Sequence, residues 1–199
     1  MSTIYITGAT GFIGGHLVQS SLAAGHAVRA LTLAGDPGAE DLRRAGVEVF
    51  SGDIRDGDAV ARSMAGTDIV FHCAAVVTDW APKKLFAEVT VGGTENVCRA
   101  ALAAGVKRLV KLSTNDVFGL DESTVLTEES PLSPWGEPYP DFKIQAEEVA
   151  KTIDHTLLRA DGTSADVDAL CREAATWHFA AVCLFPHFVP LASGLLKGT

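Results

Sequence analysis

TIYITGATGFIG, residues 3–14, joins a short apolar strand to the beginning of a helix through a glycine-rich turn. The apolar, β-branched run Thr3–Thr7 is typical of a buried strand. From Phe12 to Ala24 the apolar residues recur at helical spacing, and Gly25 is the type of residue that ends a helix. The chain therefore opens with a strand, a turn and a helix in that order.

The glycines of this turn suit a bound diphosphate. Gly8 permits a tight turn, Gly11 allows the backbone to approach phosphate groups, and Gly14 allows the helix to pack against the strand. Backbone N–H groups at the beginning of a helix point towards such an anion. The alternative is a plain strand-to-helix turn whose glycines serve only packing. We expect the phosphate site, because the glycines lie between the first strand and the first helix.

The rest of the chain alternates short apolar runs with helical patterns, as parallel sheets covered by helices do. Further strands are predicted at Ala27–Leu33, Val47–Phe50, Asp68–His72 and Arg108–Leu112, and further helices at Asp58–Ala65, Pro82–Ala104 and Pro140–Thr152. The alternation continues with Thr156–Arg159, Ala165–Trp177, Phe179–Phe185 and Phe188–Leu196. We predict an α/β fold, a Rossmann-like doubly wound parallel sheet with helices on both faces, completed by C-terminal βα units.

Composition and charge narrow the class of protein. The chain has 47% hydrophobic and 21% charged residues, and 16 basic against 25 acidic residues give a net charge of −9. This balance argues against nucleic acid or an anionic membrane as the main partner. No apolar run approaches the ~20 residues that span a bilayer. Met1–Thr7 lacks the basic region of a signal peptide, and the 4 cysteines show no CxxC spacing, so we expect a cytoplasmic protein.

A tyrosine and a lysine near the beginning of the predicted Pro140–Thr152 helix are candidates for proton transfer. Tyr139 and Lys143 share one helix face, and an ammonium group near a phenol lowers the phenol's pKa from its reference of ~10. Such a phenol exchanges protons with an alcohol or a carbonyl. By itself the pair favours a solvated lysine beside a half-buried tyrosine. Its position favours catalysis instead, because a loop of about 25 residues precedes it and Thr114 ends the strand before that loop.

Further motifs accompany the glycine turn and the YPDFK segment, Tyr139–Lys143. They are GDIRD (Gly52–Asp56), HCAA (His72–Ala75), GTENV (Gly93–Val97), and LST followed by VFG within Leu112–Gly119. With these motifs in this order, residues 1 to about 153 resemble the extended short-chain dehydrogenase/reductase family, the NAD-dependent epimerase/dehydratase and hydroxysteroid-dehydrogenase-like group.

The resemblance implies an NAD(P)-dependent oxidoreductase with NAD or NADP as cofactor and a carbonyl compound, an alcohol or a nucleotide sugar as substrate. It implies Tyr139 as the acid/base, Lys143 as the group that lowers its pKa and holds the nicotinamide ribose, and Thr114 as the partner of the reacting oxygen. The implied cofactor-binding residues are Gly8, Gly11, Phe12, Ile13, Gly14, Asp53, Ile54, Ala74, Ala75, Thr90, Tyr139 and Lys143. Family members often dimerise through the helices that carry Tyr139 and residues 82–104, so a homodimer is an expectation.

The chain departs from the family at positions that bear on cofactor and mechanism. Arg29–Asp36 has no acidic residue at the strand end to bind the adenosine ribose and no following arginine for a 2′-phosphate, so NAD and NADP both stay open. Asp36 falls slightly late for the ribose role. Thr90 stands where the family usually has an asparagine that supports the lysine and a water, which implies a weaker proton relay.

Residues 154–199 resemble the N-terminal part of deoxyribose-phosphate aldolase, a (β/α)8-barrel enzyme, in stretches that include Asp154–Thr163 and Phe179–Cys183. The aldolase's Schiff-base lysine lies on a later strand, Lys197 is expected to be solvated, and a barrel needs more than ~200 residues. We expect a hybrid, with an NAD(P)-binding domain over residues 1–153 and an aldolase-like βα segment over residues 154–199 packed on the same sheet.

The origin of this hybrid stays open between an engineered chimera, a natural fusion and a truncation. The reductase family continues beyond the lysine helix with residues that build a substrate lobe, which we expect this chain to lack. The alternatives to an oxidoreductase are a dinucleotide-binding module without turnover and, with less support, an aldolase. No metal site is predicted, because His155, His178 and His187 lack carboxylate partners at ligand spacing.

Overall fold

The computed structural model describes residues 1–78, 80–119, 125–127, 130–151, 155–157, 163–165, 167–168, 171–172, 182–184 and 189–195. The chain divides into two compact units, Met1–Glu147 and Glu148–Thr199. The first unit contains the strands β1 (Thr3–Thr7), β2 (Ala27–Thr32), β3 (Glu48–Ser51), β4 (Ile69–His72) and β5 (Arg108–Lys111). Its helices are α1 (Phe12–Ala23), α2 (Ala39–Arg44), α3 (Gly57–Met64), α4 (Lys83–Leu85) and α5 (Gly93–Ala103), and α6 (Pro138–Lys151) begins in it.

The strands of the first unit form a sheet in the order β3-β2-β1-β4-β5, and every pair in it is parallel. Thr7 at the end of β1 pairs with Leu31 on one side and with His72 on the other. The strand order therefore reverses between β1 and β4, where a crevice opens at the carboxyl ends of the strands. The predicted doubly wound parallel sheet is confirmed.

Side chains of β1 alternate between two cores, because successive strand residues point to opposite faces of a sheet. Ile4 and Ile6 belong to the core that includes Val18 of α1 and Leu42 of α2. Tyr5 belongs to the other core, with side chains from α3 and α5. Both faces of the central strand are thus buried, which is why β1 has a continuous apolar sequence.

The single helix predicted over Pro82–Ala104 is helical in the structure but changes its winding. A π-helical segment, Phe86–Gly92, lies between α4 and α5. A Cβ at Gly93, where α5 begins, would lie 2.5 Å from Ile54 Cδ1. Gly93 therefore lets the helix approach the loop after β3, and this close packing explains the glycine within the helical pattern.

The second unit contains β6 (His155–Leu157), β7 (Val182–Leu184) and α7 (Val189–Leu195). The two strands pair in parallel, as βα alternation predicts. Among the described residues they form a two-stranded sheet with each other. The packing of residues 154–199 on the same sheet as the first unit stays a prediction. The predicted helix Ala165–Trp177 lies largely outside the described residues, as do Lys197, His178 and His187.

Among the residues that the structure describes, Cys73, Cys98 and Cys171 are free thiols. Across the described ranges, no helix has both the length and the apolar character needed to cross a bilayer. Within those ranges no three His, Cys, Asp or Glu side chains converge as they would around a metal ion. The absence of a metal from the whole protein stays a prediction.

Candidate functional site

The turn after β1 is closed by contacts that leave no room for side chains. Gly8 has a φ of 68°, which favours glycine, and a Cβ there would lie 2.9 Å from Ala74 N. A Cβ at Gly14 would lie 2.0 Å from the carbonyl oxygen of Gly8. Gly11 N–H donates a hydrogen bond to that same oxygen at 3.0 Å. The glycine spacing therefore builds a tight backbone cradle beside the carboxyl end of β4.

The N-terminus of α1 makes this cradle suitable for binding an anion. The first turn of α1 contains no acidic residue, and no side chain caps it at Gly11. Phe12 and Ile13 are 84% and 45% exposed, so this turn is accessible from solvent. The first N–H groups of a helix lack partners within the helix and carry partial positive charge. The absence of an acidic side chain and the exposed N–H groups therefore suit a bound diphosphate.

A buried chain of hydrogen bonds connects the ends of β1 and β4 with the helices that follow β4. Ala74 N–H donates to Thr7 Oγ1 at 3.2 Å, and this oxygen lies 2.7 Å from His72 Nδ1. On the other side, His72 Nε2 lies 2.9 Å from Thr94 Oγ1, whose hydroxyl donates to the carbonyl oxygen of Thr90 at 2.6 Å. Since the Thr94 proton is directed to Thr90, Thr94 Oγ1 accepts from His72 Nε2–H, and Nδ1 accepts from the Thr7 hydroxyl.

The surroundings of His72 keep its ring neutral. Burial, followed by the charges of Lys111 and Lys143, lowers the pKa of His72 to about 3. A neutral ring has one donor and one acceptor nitrogen, which is what Thr94 and Thr7 require. Each donor in this chain of hydrogen bonds is therefore paired with the next acceptor, in one continuous order from Ala74 N–H to the Thr90 carbonyl.

Thr90 also supports the segment after β4. It is buried, and its Oγ1 accepts a hydrogen bond from Val76 N–H at 3.2 Å. Ala74 N–H is bonded to Thr7 and Val76 N–H to Thr90, so the backbone is held on both sides of Ala75. Ala74 and Ala75 therefore have a fixed backbone conformation at the edge of the crevice. The Thr90 hydroxyl is thus engaged with the backbone. A contact between Thr90 and a cofactor stays a prediction.

Asp53 and Ile54 lie in the loop after β3. Asp53 accepts hydrogen bonds from Arg55 N–H at 2.9 Å and from Arg55 Nη2 at 2.6 Å, and the Arg55 side-chain hydrogen bond is the main cause that lowers the pKa of Asp53. Ile54 is buried and belongs to the core that packs against α5. Asp53 borders an open cavity of about 530 Å³, whose other lining residues are Arg55, Asp56, Glu88, Gly92, Glu95 and Asn96.

Tyr139 and Thr114, predicted to act together, are brought together by the fold. Tyr139 is half-buried at the beginning of α6, and the side chain of Thr114 lies near enough to its phenol to lower the phenol's pKa. Thr114 follows β5 and caps a 3-10 helix, Asn115–Phe118, by accepting from Asp116 N–H at 3.3 Å. The Thr114 hydroxyl donates to Asp116 Oδ2 at 3.1 Å. A hydroxyl pair with an adjacent carboxylate therefore lies at the carboxyl end of β5.

Lys143 is one turn further along α6 and is buried to 4% exposure. Its ammonium donates to the carbonyl oxygen of Leu112 at 2.5 Å. Burial lowers the pKa of Lys143, while the Glu147 carboxylate raises it. The lysine is thus anchored to the backbone at the end of β5.

The sequence predicts that Lys143 lowers the pKa of Tyr139, but the surroundings of the phenol raise it. Burial raises the pKa of Tyr139, the Thr114 hydrogen bond lowers it, and the Asp116 charge raises it further. Lys143 is directed to the Leu112 carbonyl instead. The physical reason is desolvation of the phenol, which disfavours its charged form.

Sequence reasoning missed Asp36, His72 and Asp116 as site residues. Thr10 Oγ1 donates to Asp36 Oδ2 at 2.8 Å, so this carboxylate lies directly against the glycine turn. Asp36 follows β2, but it comes slightly late for the ribose-binding position, so its place in the sequence is only a weak signal. His72 and Asp116 stood within recognised motifs, yet their hydrogen-bond partners depend on how separate strands and helices meet.

The fold and the glycine turn define a doubly wound α/β protein with an anion cradle where the strand order reverses. The chain belongs to the NAD dependent epimerase/dehydratase family, whose model matches residues 4–160. This match confirms the family resemblance of the N-terminal part of the sequence.

Relatives of known name include dehydrogenases. The chain is 32% identical over 187 residues to a 3 beta-hydroxysteroid dehydrogenase/Delta 5-->4-isomerase from Mycobacterium tuberculosis, a match that covers 89% of this chain and 48% of that protein. It is 40% identical over 117 residues to the L-arabinose 1-dehydrogenase (NAD(P)(+)) of Haloferax volcanii, covering 59% of this chain and 42% of that protein. The chain thus spans about half the length of the curated relatives it matches.

Solved structures share the fold. The enzyme WbmG from Bordetella bronchiseptica, in complex with NAD and UDP, matches with a TM-score of 0.67 and 25% identity over 86% of this chain and 59% of that chain. UDP-glucose 4-epimerase from Thermotoga maritima, with UDP-glucose, matches with a TM-score of 0.66 and 25% identity over 79% of this chain and 54% of that chain.

Proposed function

We propose that this chain binds NAD or NADP and acts as an oxidoreductase that transfers a hydride to or from a small-molecule carbonyl or alcohol. The observation that carries the proposal is the phenol–hydroxyl pair of Tyr139 and Thr114 at the carboxyl end of β5. Family membership and the anion cradle at α1 support the cofactor. The substrates in the names of relatives and solved structures are steroids, an aldose and UDP-sugars, so a hydroxyl-bearing ring or a nucleotide sugar is the proposed substrate class.

The glycine turn and the α1 N-terminus would hold the diphosphate, and Ala74 and Ala75 would line the dinucleotide beside it. Phe12 and Ile13 would contribute their backbone N–H groups, while Asp53 and Ile54 would border the adenine. Lys143 would hold the nicotinamide ribose. When bound, the nicotinamide accepts or supplies the hydride.

Tyr139 would hold and move the proton. Burial raises the pKa of Tyr139, so the phenol is protonated at neutral pH and can donate its proton to a carbonyl oxygen during reduction. In the reverse direction the phenolate takes the alcohol proton. Thr114, whose side chain influences the pKa of the phenol, would orient the reacting oxygen. Asp116 fixes the Thr114 hydroxyl through its own hydrogen bond.

The test replaces Tyr139 with phenylalanine, which removes the phenol and keeps the ring. NADH and NADPH oxidation is followed with simple ketones, a 3-oxosteroid and UDP-sugars, and dinucleotide binding is measured by calorimetry. We expect turnover to fall by about 100-fold or more while dinucleotide affinity stays within a few-fold. Unchanged turnover would refute the role of Tyr139.

Tyr5 supplies the matched control, because it is the other tyrosine of the chain. Its hydroxyl lies 2.7 Å from Ser63 Oγ in the core, away from the proposed chemistry. Tyr5→Phe also deletes a single hydroxyl from the protein. This variant should keep the full rate, so a loss of activity in both variants would indicate a general effect on folding.

A dinucleotide-binding module without turnover is the second candidate, since the cradle at α1 would hold a dinucleotide whether or not Tyr139 transfers a proton. In that case the same titration would show binding, and no substrate of the panel would oxidise NADH or NADPH.

Other expectations stay predictions. They include the homodimer, the cytoplasmic location and the lack of a nucleic-acid partner. The likeness of residues 154–199 to an aldolase is also untested in its own right. A match that covers 89% of the chain includes residues beyond 153, and this favours an origin of that segment within the reductase family. Borohydride treatment with an aldehyde should therefore label no lysine.

A further inference from the structure

The segment that follows β5 faces α6 in a regular register. Its successive residues each lie beside one of three α6 residues that are four positions apart, one on each turn of the helix. The pairs are Thr114 with Tyr139, Leu112 with Lys143, and Ser113 with Glu147. The first two pairs include the residues of the proposed chemistry. The third pair lies at the same end of the strand and has no part in the proposed reaction.

The Lys143 ammonium is a buried charge. The residue is 4% exposed, and burial lowers its pKa because desolvation disfavours the charged form. Its hydrogen bond to the Leu112 carbonyl supplies a dipole but no opposite charge. A buried ammonium group generally needs a carboxylate close by to stay charged and in place.

Glu147 supplies a negative charge that faces Lys143. Side chains of a helix lean towards its N-terminus, so a residue at i+4 lies over the turn that holds residue i. Burial lowers the pKa of Lys143, and the Glu147 charge is the larger of the two causes that raise it. The carboxylate therefore opposes the effect of burial on the lysine.

The other titratable groups around Lys143 are neutral at pH 7. Burial raises the pKa of the Cys73 thiol after β4, and it lowers the pKa of His72 to about 3. Tyr139, one turn earlier on α6, also has a pKa that burial raises. Among the described groups whose charges act on Lys143, Glu147 is thus the one that is negative at neutral pH.

Ser113 fixes the direction of the Glu147 carboxylate. Its hydroxyl donates a hydrogen bond to Glu147 Oε1, and in the chain it lies between Leu112 and Thr114. The carboxylate is therefore tied to the same short segment that accepts a hydrogen bond from Lys143. A glutamate side chain has several rotatable bonds, so this tether keeps the negative charge near the lysine instead of in solvent.

We propose that Glu147 is a positioning residue of the active site: held by Ser113, its carboxylate keeps the Lys143 ammonium charged and directed to the end of β5. The proposal rests on the proposed dinucleotide function, in which this ammonium holds the nicotinamide ribose. Glu147 acts through Lys143 and not on the cofactor or the substrate itself.

The first test is Glu147→Gln, which removes the charge and keeps an oxygen that accepts from the Ser113 hydroxyl. Without the carboxylate the pKa of Lys143 falls, so the lysine loses its proton at a lower pH. NADH affinity of the full chain is measured by nucleotide fluorescence from neutral to alkaline pH. We expect the alkaline loss of affinity to begin about one pH unit lower in the variant than in wild type.

A second measurement follows Lys143 directly and needs neither dinucleotide nor turnover. The ¹³Cε resonance of Lys143 is recorded in lysine-labelled protein and assigned through Lys143→Arg. It should titrate about one pH unit lower in Glu147→Gln than in wild type. This measurement decides the inference even where the proposed function fails.

Two substitutions at Ser113 separate the tether from the charge. Ser113→Ala keeps the Glu147 carboxylate but removes its hydrogen bond, so Lys143 should titrate at a lower pH by a smaller amount than in Glu147→Gln. Ser113→Thr keeps a hydroxyl and should restore the wild-type titration. A contact that only fastened α6 to β5 would change the melting temperature and leave the titration of Lys143 unchanged.

Glu148→Gln is the matched control, because it removes the same charge from the next position of α6, which is exposed. It should leave the Lys143 titration almost unchanged, since exposed charges are strongly screened. An unchanged titration in folded Glu147→Gln, or an equal shift in Glu148→Gln, would overturn the inference. A folded wild type that binds neither dinucleotide would overturn the proposed function alone.

Discussion

His72→Leu would break the buried hydrogen-bond chain at its centre while keeping a side chain of similar bulk. The change removes the contacts at 2.7 Å to Thr7 Oγ1 and at 2.9 Å to Thr94 Oγ1. Both threonines are less than 2% exposed, so neither hydroxyl can turn to solvent. Each unsatisfied buried group costs about 1–3 kcal/mol, and we expect the free energy of unfolding to fall by about 2–5 kcal/mol.

His72→Gln is the conservative variant, since its amide offers one acceptor and one donor at a spacing close to that of the ring nitrogens. It should recover most of the loss, which a purely steric role of His72 would not predict. The glutamine also cannot titrate. It therefore separates the hydrogen-bond chain from the effect of protonation.

The pH dependence of stability follows from the pKa of about 3 that burial imposes on His72 in the folded chain. In the unfolded chain His72 has the reference histidine pKa of ~6.5, so below that pH the unfolded chain binds a proton at His72 that the folded chain does not bind. Stability therefore falls as the pH drops through this range, by about 2 kcal/mol between pH 7 and pH 5. The lowered pKa values of Asp53 and Asp68 act only at more acidic pH.

Urea unfolding at pH 7 and at pH 5 measures both effects. Wild type should lose about 2 kcal/mol more than His72→Gln over this interval, because every other titratable group is common to both proteins. Equal pH dependence in the two proteins would refute the buried neutral ring. Full stability of His72→Leu at pH 7 would refute the hydrogen-bond chain.

Two further substitutions test the cradle and the cap of α3. Gly14→Ala places a Cβ 2.0 Å from the Gly8 carbonyl oxygen, so calorimetry should show a dinucleotide affinity that is lower by about tenfold or more. This loss corresponds to one charge-assisted hydrogen bond. Gly15→Ala is the control and should bind the dinucleotide normally, because the nearest contact of its Cβ would be at 3.7 Å. Asp56→Ala removes the side chain that caps α3 by accepting from Asp58 N–H, and it should lower the free energy of unfolding by about 1 kcal/mol. If Asp58→Ala lowered the free energy of unfolding by the same amount, the capping role of Asp56 would be contradicted.

The elements that the sequence predicted correctly are those whose cause is local. The glycine turn, the apolar strands and the helix stop at Gly25 follow from backbone preference and from burial periodicity. Gly25 has a positive φ in the structure. The short helix Ala39–Arg44 was missed, because six residues are too few for a periodic apolar pattern to show.

The features that were missed depend on contacts between distant parts of the chain. Thr10 and Asp36 are 26 residues apart and meet because β1 and β2 are neighbours in the sheet. His72 lies 65 residues from Thr7 and 22 from Thr94, so its tautomer could not be foreseen from the HCAA motif. The raised pKa of Tyr139 has the same origin, since it depends on burial and on where the Lys143 ammonium is directed.

The central claim is that a dinucleotide binds with its diphosphate against the N-terminus of α1. The most direct measurement is an amide ¹H–¹⁵N spectrum of the labelled chain, recorded while NADH is added. The largest saturable shifts should fall on the N–H groups of Gly11, Phe12, Ile13 and Gly14. Saturation that leaves these four amides unmoved, or a folded chain whose spectrum does not respond to NADH or NADPH, would contradict the claim.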